Sequence, residues 1–250
     1  MKPSLDWQIA TVRAVRSETP KVKTFTLSLP AWTPHRAGQH YDVRLTAPDG
    51  YQTQRSYSIA SEPERTGEID LTIERIETGE VSPYFHDVIV PGDQVEVRGP
   101  IGGYFVWQAS RPEPLLLVAG GSGVVPLMSM LRHRAAARAL GPARLLYSSR
   151  TLEDIIYYGE LSALQDGQAS LGVYHTLTRA QPAAWKGYTR RIDQPMLAEV
   201  VRPLGRSAQA YVCGPTLLVE SAADALVRLG LNRAQIRTER FGPTNLAQGG

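Results

Sequence analysis

Residues 115–131 read LLLVAGGSGVVPLMSML, an apolar run that breaks into three glycines and resumes with helical spacing. A strand of unbroken Leu and Val has no face to show to water, so it must lie in a sheet covered on both sides, as parallel sheets with crossover helices are. The alternation repeats downstream: ARLLYSS then EDIIYYGELSALQ, VYHTLTR, and AQAYVCGP then TLLVESAADALVRLG. The second half of the chain is therefore expected to be an α/β unit with a parallel sheet. RHRAAARALGPAR reads as a helix with a solvated face.

Before residue 108 the texture differs. Short β-branched runs separated by turn residues, KVKTFTLSL, QHYDVRLTAPDG, QTQRSYSIAS, EIDLTIERIE and DQVEVRGPIGGYF, alternate apolar with polar positions. That pattern predicts an antiparallel β-barrel or sandwich. GEVSPYFHDVIVPGD interrupts it with Ser82 as N-cap and Pro83 as first helical residue, predicting one short helix. A polar, proline-containing join, QASRPEP, separates the halves, so the domains are expected at residues 1–109 and 110–250. At 250 residues and 42% hydrophobic, the chain can build two cores.

Composition removes several function classes. Net charge is +3, but the cations are dispersed and aromatics are only 8%, which disfavours nucleic acid as a partner. MKPSLDWQIA lacks the apolar core of an export leader, and the longest apolar run is cut by Gly and Pro, so no membrane span and a cytoplasmic location are expected. One cysteine, Cys213, can form no internal disulfide and cannot alone hold zinc or an iron–sulfur cluster, so no metal is expected. If this protein moves electrons, an organic cofactor must carry them.

The glycine loop, Gly120, Gly121, Ser122 and Gly123, opens a helix where backbone amides and the helix dipole favour a phosphate, although Pro126 stands where a dinucleotide fingerprint has its third glycine. A tight strand-to-helix turn without a ligand is the plain alternative. In QRSYSIAS, Arg55 and Tyr57 share one strand face with Ser58 at its edge. An aromatic platform, a cation and a hydroxyl donor suit a flavin ring and its phosphate. Gly79 and Ser82 at the short helix offer a second anion site.

Five motifs in order, RSYS, GEVS, GPIGGYF, GGSGVVP and VCGP, resemble the ferredoxin–NADP reductase superfamily over nearly the full chain. The resemblance implies an FAD-binding barrel followed by a Rossmann-like NAD(P) domain. It implies that Arg55, Ser56, Tyr57 and Ser58 hold the flavin and its phosphate, that Gly79, Val81 and Ser82 bind the pyrophosphate, and that Cys213, Gly214 and Pro215 lie beside the nicotinamide. The terminal TERFGPT resembles the reductase module of flavohaemoglobins, implying that Phe241 covers the flavin and Glu239 joins the hydrogen bonds near it, with Gly242 and Pro243 completing the motif. Ser58, Cys213, Glu239 and Phe241 form the implied catalytic set. Cys213 reads equally as a small buried hydrophobe. Tyr104, Phe105 and Trp107 read as adenine-stacking or core aromatics, and Glu239 alternatively as a surface ion pair.

Hydride transfer to a flavin needs alignment more than a strong acid or base. For the coenzyme, Ser149 and Arg150 follow the second strand of the parallel unit, and Arg179, Lys186 and Tyr188 follow the third, a set of donors suited to an extra phosphate. NADPH is therefore favoured over NADH. The expected function is transfer from NAD(P)H through FAD to ferredoxin, an oxygenase or another redox protein in a separate chain, since one cysteine cannot ligate a fused cluster. The alternatives are a free flavin, quinone or ferric reductase, or a flavin-binding regulatory or assembly subunit. Arg132, Arg134, Arg138 and Arg144 would be the docking cations for an acidic partner. Oligomeric state is left open.

Overall fold

A computed structural model describes residues 5–241. Six antiparallel strands, β1 (Gln8–Thr19), β2 (Val22–Ser28), β3 (His40–Thr46), β4 (Gln52–Ser58), β5 (Glu68–Glu74) and β6 (Gln94–Ile101), form a sheet of order β4-β3-β6-β1-β2-β5. A bridge between Ile59, just past β4, and Leu71 of β5 brings the two edges together. The inner face buries Phe25, Leu27, Tyr41, Val43, Ile69, Leu71 and Val97. Burial alternates along β6 as the spacing predicts, whereas β5 also buries its polar Asp70 and Thr72, whose side chains are hydrogen-bonded.

The short helix is α1 (Val81–Asp87), and its start differs from the sequence expectation. Glu80 is the N-cap and makes no side-chain capping bond. Ser82 lies inside the first turn, where its hydroxyl accepts the Ile76 amide at 3.0 Å instead of capping. Pro83 is tolerated there because the first amides of any helix lack an intrahelical acceptor.

The second half is a five-stranded parallel sheet, β11-β10-β7-β8-β9, built from β7 (Leu115–Gly120), β8 (Ala143–Ser149), β9 (Leu171–Leu177), β10 (Gln209–Pro215) and β11 (Ile236–Phe241). Every residue of β7 is buried, as a doubly covered strand requires. Leu117, Leu145 and Tyr147 face the core that includes α2 (Val124–Ala136). Leu116, Val118 and Leu146 face α4 (Gln194–Val201) and α5 (Thr216–Arg228). α3 (Tyr158–Asp166) begins later than EDIIYYGELSALQ suggests, because Thr151 donates to Asp154 to close a turn and Ile155, Ile156 and Tyr157 are buried before it. Among the described residues, no helix is long and apolar enough to cross a membrane.

The end of α2 also corrects the sequence reading. Arg134 is 2% exposed, donating to Gly141 O at 2.7 Å and Ser170 Oγ at 2.6 Å, so it staples loops together and is not solvated. Arg132 is paired with Glu160, and Arg144 donates to Ala143 and Ser170 carbonyls. Three of the four arginines expected to form a docking patch are thus turned inward.

The two sheets share one core. Ala37, Ala60, Phe105 and Trp107 pack with Leu115, Leu127 and Met130. The Tyr211 hydroxyl donates to Val106 O at 2.8 Å, and Arg237 donates to Tyr104 O at 2.7 Å. Phe105 and Trp107 are therefore core aromatics, while Tyr104 is 61% exposed.

Gly123 fixes how the glycine loop meets β10: a Cβ there would stand 2.3 Å from the Cys213 carbonyl oxygen. Gly123→Ala is expected to cost about 1–3 kcal/mol through overpacking and to lower the melting temperature by several degrees. Calorimetry showing an unchanged melting temperature would mean that the contact yields freely.

Candidate functional site

A cavity of about 300 Å³ opens where the two sheets meet. From the barrel come His40 on β3 and Ser56 and Ser58 on β4; from the loop and α2, Ser122 and Pro126; from β10 and β11, Cys213, Glu239, Arg240 and Phe241. Strand pairing assembles them. The β3–β4 register sets His40 opposite Ser58, and the β10–β11 register sets Cys213 opposite Glu239 and Pro215 opposite Phe241. The period of two along β4 turns Ser56 and Ser58 to the same side.

Ser56 is engaged, donating to Asp42 Oδ1 at 2.6 Å, whereas the Ser58 hydroxyl has no partner among the described residues. Among the described residues Glu239 Oε2 is buried without a hydrogen-bond partner, and burial pushes the carboxyl up to about 7. Burial first, and Glu239 second, raise the Cys213 thiol, which is 3% exposed and stays protonated. Cys213 is thus both a core residue and a wall of the cavity. His40, lowered by burial against the opposing pull of Asp42, is a lining residue that the sequence reading overlooked. Its signal, a polar residue starting a strand next to RSYS, was in plain view.

Arg55 and Tyr57 occupy the other face of β4. Arg55 is exposed and donates to the Gln54 carbonyl at 2.7 Å. Tyr57 packs 6.2 Å from the Phe85 ring, and burial pushes its hydroxyl up to about 12. Gly79 donates to Ile76 O at 2.9 Å, Val81 is buried, and Ser82 is committed to the Ile76 amide. In the glycine loop, Gly121 has φ +54° with nothing within 4 Å of a Cβ position, so its backbone faces open space. Ser122 donates to Glu74 Oε2 at 2.7 Å, tying the loop to the barrel.

A second constellation lies at the ends of β8 and β9. Thr178 N donates to Ser149 O at 3.0 Å and Arg179 N to Arg150 O at 2.9 Å, which sets Arg150 beside Arg179. The side chains of Arg150, Arg179 and Lys186 are exposed and carry no ion pair among the described residues. Ser149 is buried. Tyr188 is turned toward the α4 side, its hydroxyl pushed up to about 12 by burial and by Glu199, so the structure does not group it with the arginines. Gly242 and Pro243 lie outside the described residues.

Residues 10–106 match the family described as an oxidoreductase FAD-binding domain, and residues 117–224 the oxidoreductase NAD-binding domain. The chain is 36% identical over 211 residues to ferredoxin–NADP reductase B of Sorangium cellulosum, covering 82% of this chain and 84% of that protein. The chain belongs to the ferredoxin–NADP reductase superfamily. It is 30% identical to the glycine betaine monooxygenase reductase subunit of Pseudomonas aeruginosa over 93% of this chain, and spans 64% of that longer protein. The fold matches the FAD/NAD-binding domain of a Vibrio cholerae nitric oxide dioxygenase with TM-score 0.84 at 24% identity, covering 94% of this chain and 99% of that one.

This reductase is accordingly an FAD-dependent NAD(P)H oxidoreductase. Its residues fit a flavin and a dinucleotide: the cavity offers an unengaged hydroxyl at Ser58, an orphaned buried carboxyl oxygen at Glu239, and a loop whose open backbone can approach a ligand.

A carboxyl whose folded pKa is raised holds its proton more tightly folded than unfolded. Its contribution to stability is present below the ordinary 4.5 and is lost as pH rises toward about 7. The wild type is therefore expected to lose stability relative to Glu239→Gln across that interval, read as diverging urea midpoints. Parallel pH profiles for the two proteins would contradict the burial of this carboxyl.

Proposed function

We propose that this reductase takes electrons from NADPH in preference to NADH and hands them, through FAD, to a separate redox protein such as a ferredoxin or an oxygenase component. The observation that carries the coenzyme preference is the pair of unpaired guanidinium groups, Arg150 and Arg179, at adjacent strand ends, with Lys186 close by in sequence to the segment that runs beside β9. A phosphate dianion satisfies such cations; a ribose hydroxyl does not. The names of the relatives support the acceptor class, one being a ferredoxin–NADP reductase and another the reductase subunit of a monooxygenase. We take the division between the two domains to fall at residues 109 and 110, and the lone buried thiol suits work in the reducing cytoplasm.

When bound, the flavin accepts two electrons from the nicotinamide and releases them singly. The chain's own residues bind and align. Arg55 supplies a cation for the flavin phosphate, Tyr57 a ring face, and Gly79, Val81 and Ser82 the turn against the pyrophosphate. Ser58 offers its free hydroxyl at the reacting edge. Gly120, Gly121, Ser122 and Gly123 hold the dinucleotide phosphates, while Cys213, Gly214 and Pro215 wall the nicotinamide side. Phe241 excludes water from the cavity, and Glu239 holds a proton at its buried oxygen near neutral pH.

Anaerobic reduction of the flavin-loaded protein is expected to bleach the flavin absorbance faster with NADPH than with NADH; equal rates would remove the proposed preference, and no bleaching by either would remove the reductase reading. Arg150→Ala and Arg179→Ala are each expected to raise the KM for NADPH roughly tenfold, the loss of one charge-assisted bond, and to leave that for NADH unchanged. Ser58→Ala is expected to slow flavin reduction more than it weakens FAD binding, as stopped-flow and flavin titration would report. Fast turnover on free flavin or quinone with no transfer to ferredoxin would assign the acceptor to a small molecule.

A further inference from the structure

α2 begins at the glycine loop and runs along the barrel, and three of its side chains one turn apart, Ser129, Arg132 and His133, reach the loop that leaves β4. Ser129 is fully buried and donates to the Ser61 carbonyl at 2.7 Å. Arg132 Nη1 donates to the Ala60 carbonyl at 2.9 Å, while its Nε and Nη2 form a two-pronged pair with Glu160, both at 2.7 Å. Its guanidinium carbon lies 5.1 Å from the centre of the Tyr157 ring, whose hydroxyl donates to Thr72 on β5.

Both carbonyl acceptors stand two and three residues after Ser58. The barrel side of that segment is pinned as well: Ile59 N donates to Gln39 O at 2.9 Å, Ala60 N to Asp70 O at 2.8 Å, and Asp70 N to Ser61 Oγ at 3.1 Å. The same helix carries Pro126 in the cavity wall and follows directly on Ser122 and Gly123. One rigid element therefore links the glycine loop, on the dinucleotide side, to the end of β4, on the flavin side.

We propose that Ser129 and Arg132 are positioning residues that set the separation between the Ser58 edge and the Cys213 wall, and through it the rate of hydride transfer, without touching either cofactor. This rests on the reductase reading above. The bonds that matter are those to the Ala60 and Ser61 carbonyls, because these fix main chain two residues from the reacting edge. The Glu160 pair neutralises Arg132 but reaches only α3. Small displacements of reacting groups carry large rate penalties.

The test compares Ser129→Ala, Arg132→Met and Glu160→Gln in the FAD-loaded protein. Ser129→Ala and Arg132→Met are expected to lower the stopped-flow rate of flavin reduction roughly tenfold or more, with FAD affinity and coenzyme KM within about twofold of wild type. Glu160→Gln, which keeps the Ala60 bond, is expected to stay near the wild-type rate. A readout independent of turnover is amide hydrogen exchange: Ser129→Ala is expected to speed exchange in residues 58–62 and in residues 120–126 together. Wild-type rates in the first two variants, equal loss in Glu160→Gln, or exchange confined to one of the two segments would each overturn the proposal. A wild-type protein that neither NADPH nor NADH reduces would overturn the reductase reading itself, a failure visible before any variant is made.

Discussion

The approach of Gly123 to the Cys213 carbonyl is the contact on which the site depends. Two parallel strands, β7 and β10, end side by side, and the chain leaving β7 turns directly over the end of β10. Only a residue without a side chain can make that turn so close. It holds Cys213 as a wall, starts α2 in a fixed direction, and leaves open space beside Gly121. A looser loop would need a different helix axis, and the bonds from α2 to the barrel would then miss their carbonyls.

The seam between the sheets is apolar for the most part, which gives its few polar groups their character. Glu239 has one buried oxygen with no partner among the described residues and Cys213 lies beside it, so burial favours the neutral form of both, holding the carboxyl's proton up to about pH 7 where an exposed carboxyl would already be charged. The two ends of the parallel sheet are electrostatically opposite in style. At the cavity, burial suppresses charge on Cys213 and Glu239 while exposed Arg240 keeps a cation in the wall; at β8 and β9, Arg150 and Arg179 are exposed and carry no ion pair among the described residues.

Much of this was legible in the residues. The unbroken apolar β7 could only belong to a doubly covered sheet, and the alternating runs before residue 108 could only face one core. Motifs whose constraint is local, such as GGSG, stand between strand and helix as read, at the end of β7 and the start of α2. What escaped were features decided by distant partners. β1 is polar along most of its length and is a strand because β2 and β6 flank it. α4 was signalled by Asp193 accepting the Met196 amide with Pro195 behind it, but its core face is visible only once α5 is present. Arg134 and Arg132 look solvated in a helix rich in Ala and Arg, and are not, because carbonyls and a carboxylate from other segments meet them. Ser82 carried a sound capping signal that a nearby amide outcompeted.

The strand order gives the parallel unit a division of labour. The reactive cavity belongs to β10 and β11 on one flank of β7, and the exposed arginines belong to β8 and β9 on the other, with no side chain shared between them. If the arginines read the coenzyme as proposed, substitutions there can change the electron source while the residues lining the cavity on the other flank stay as they are.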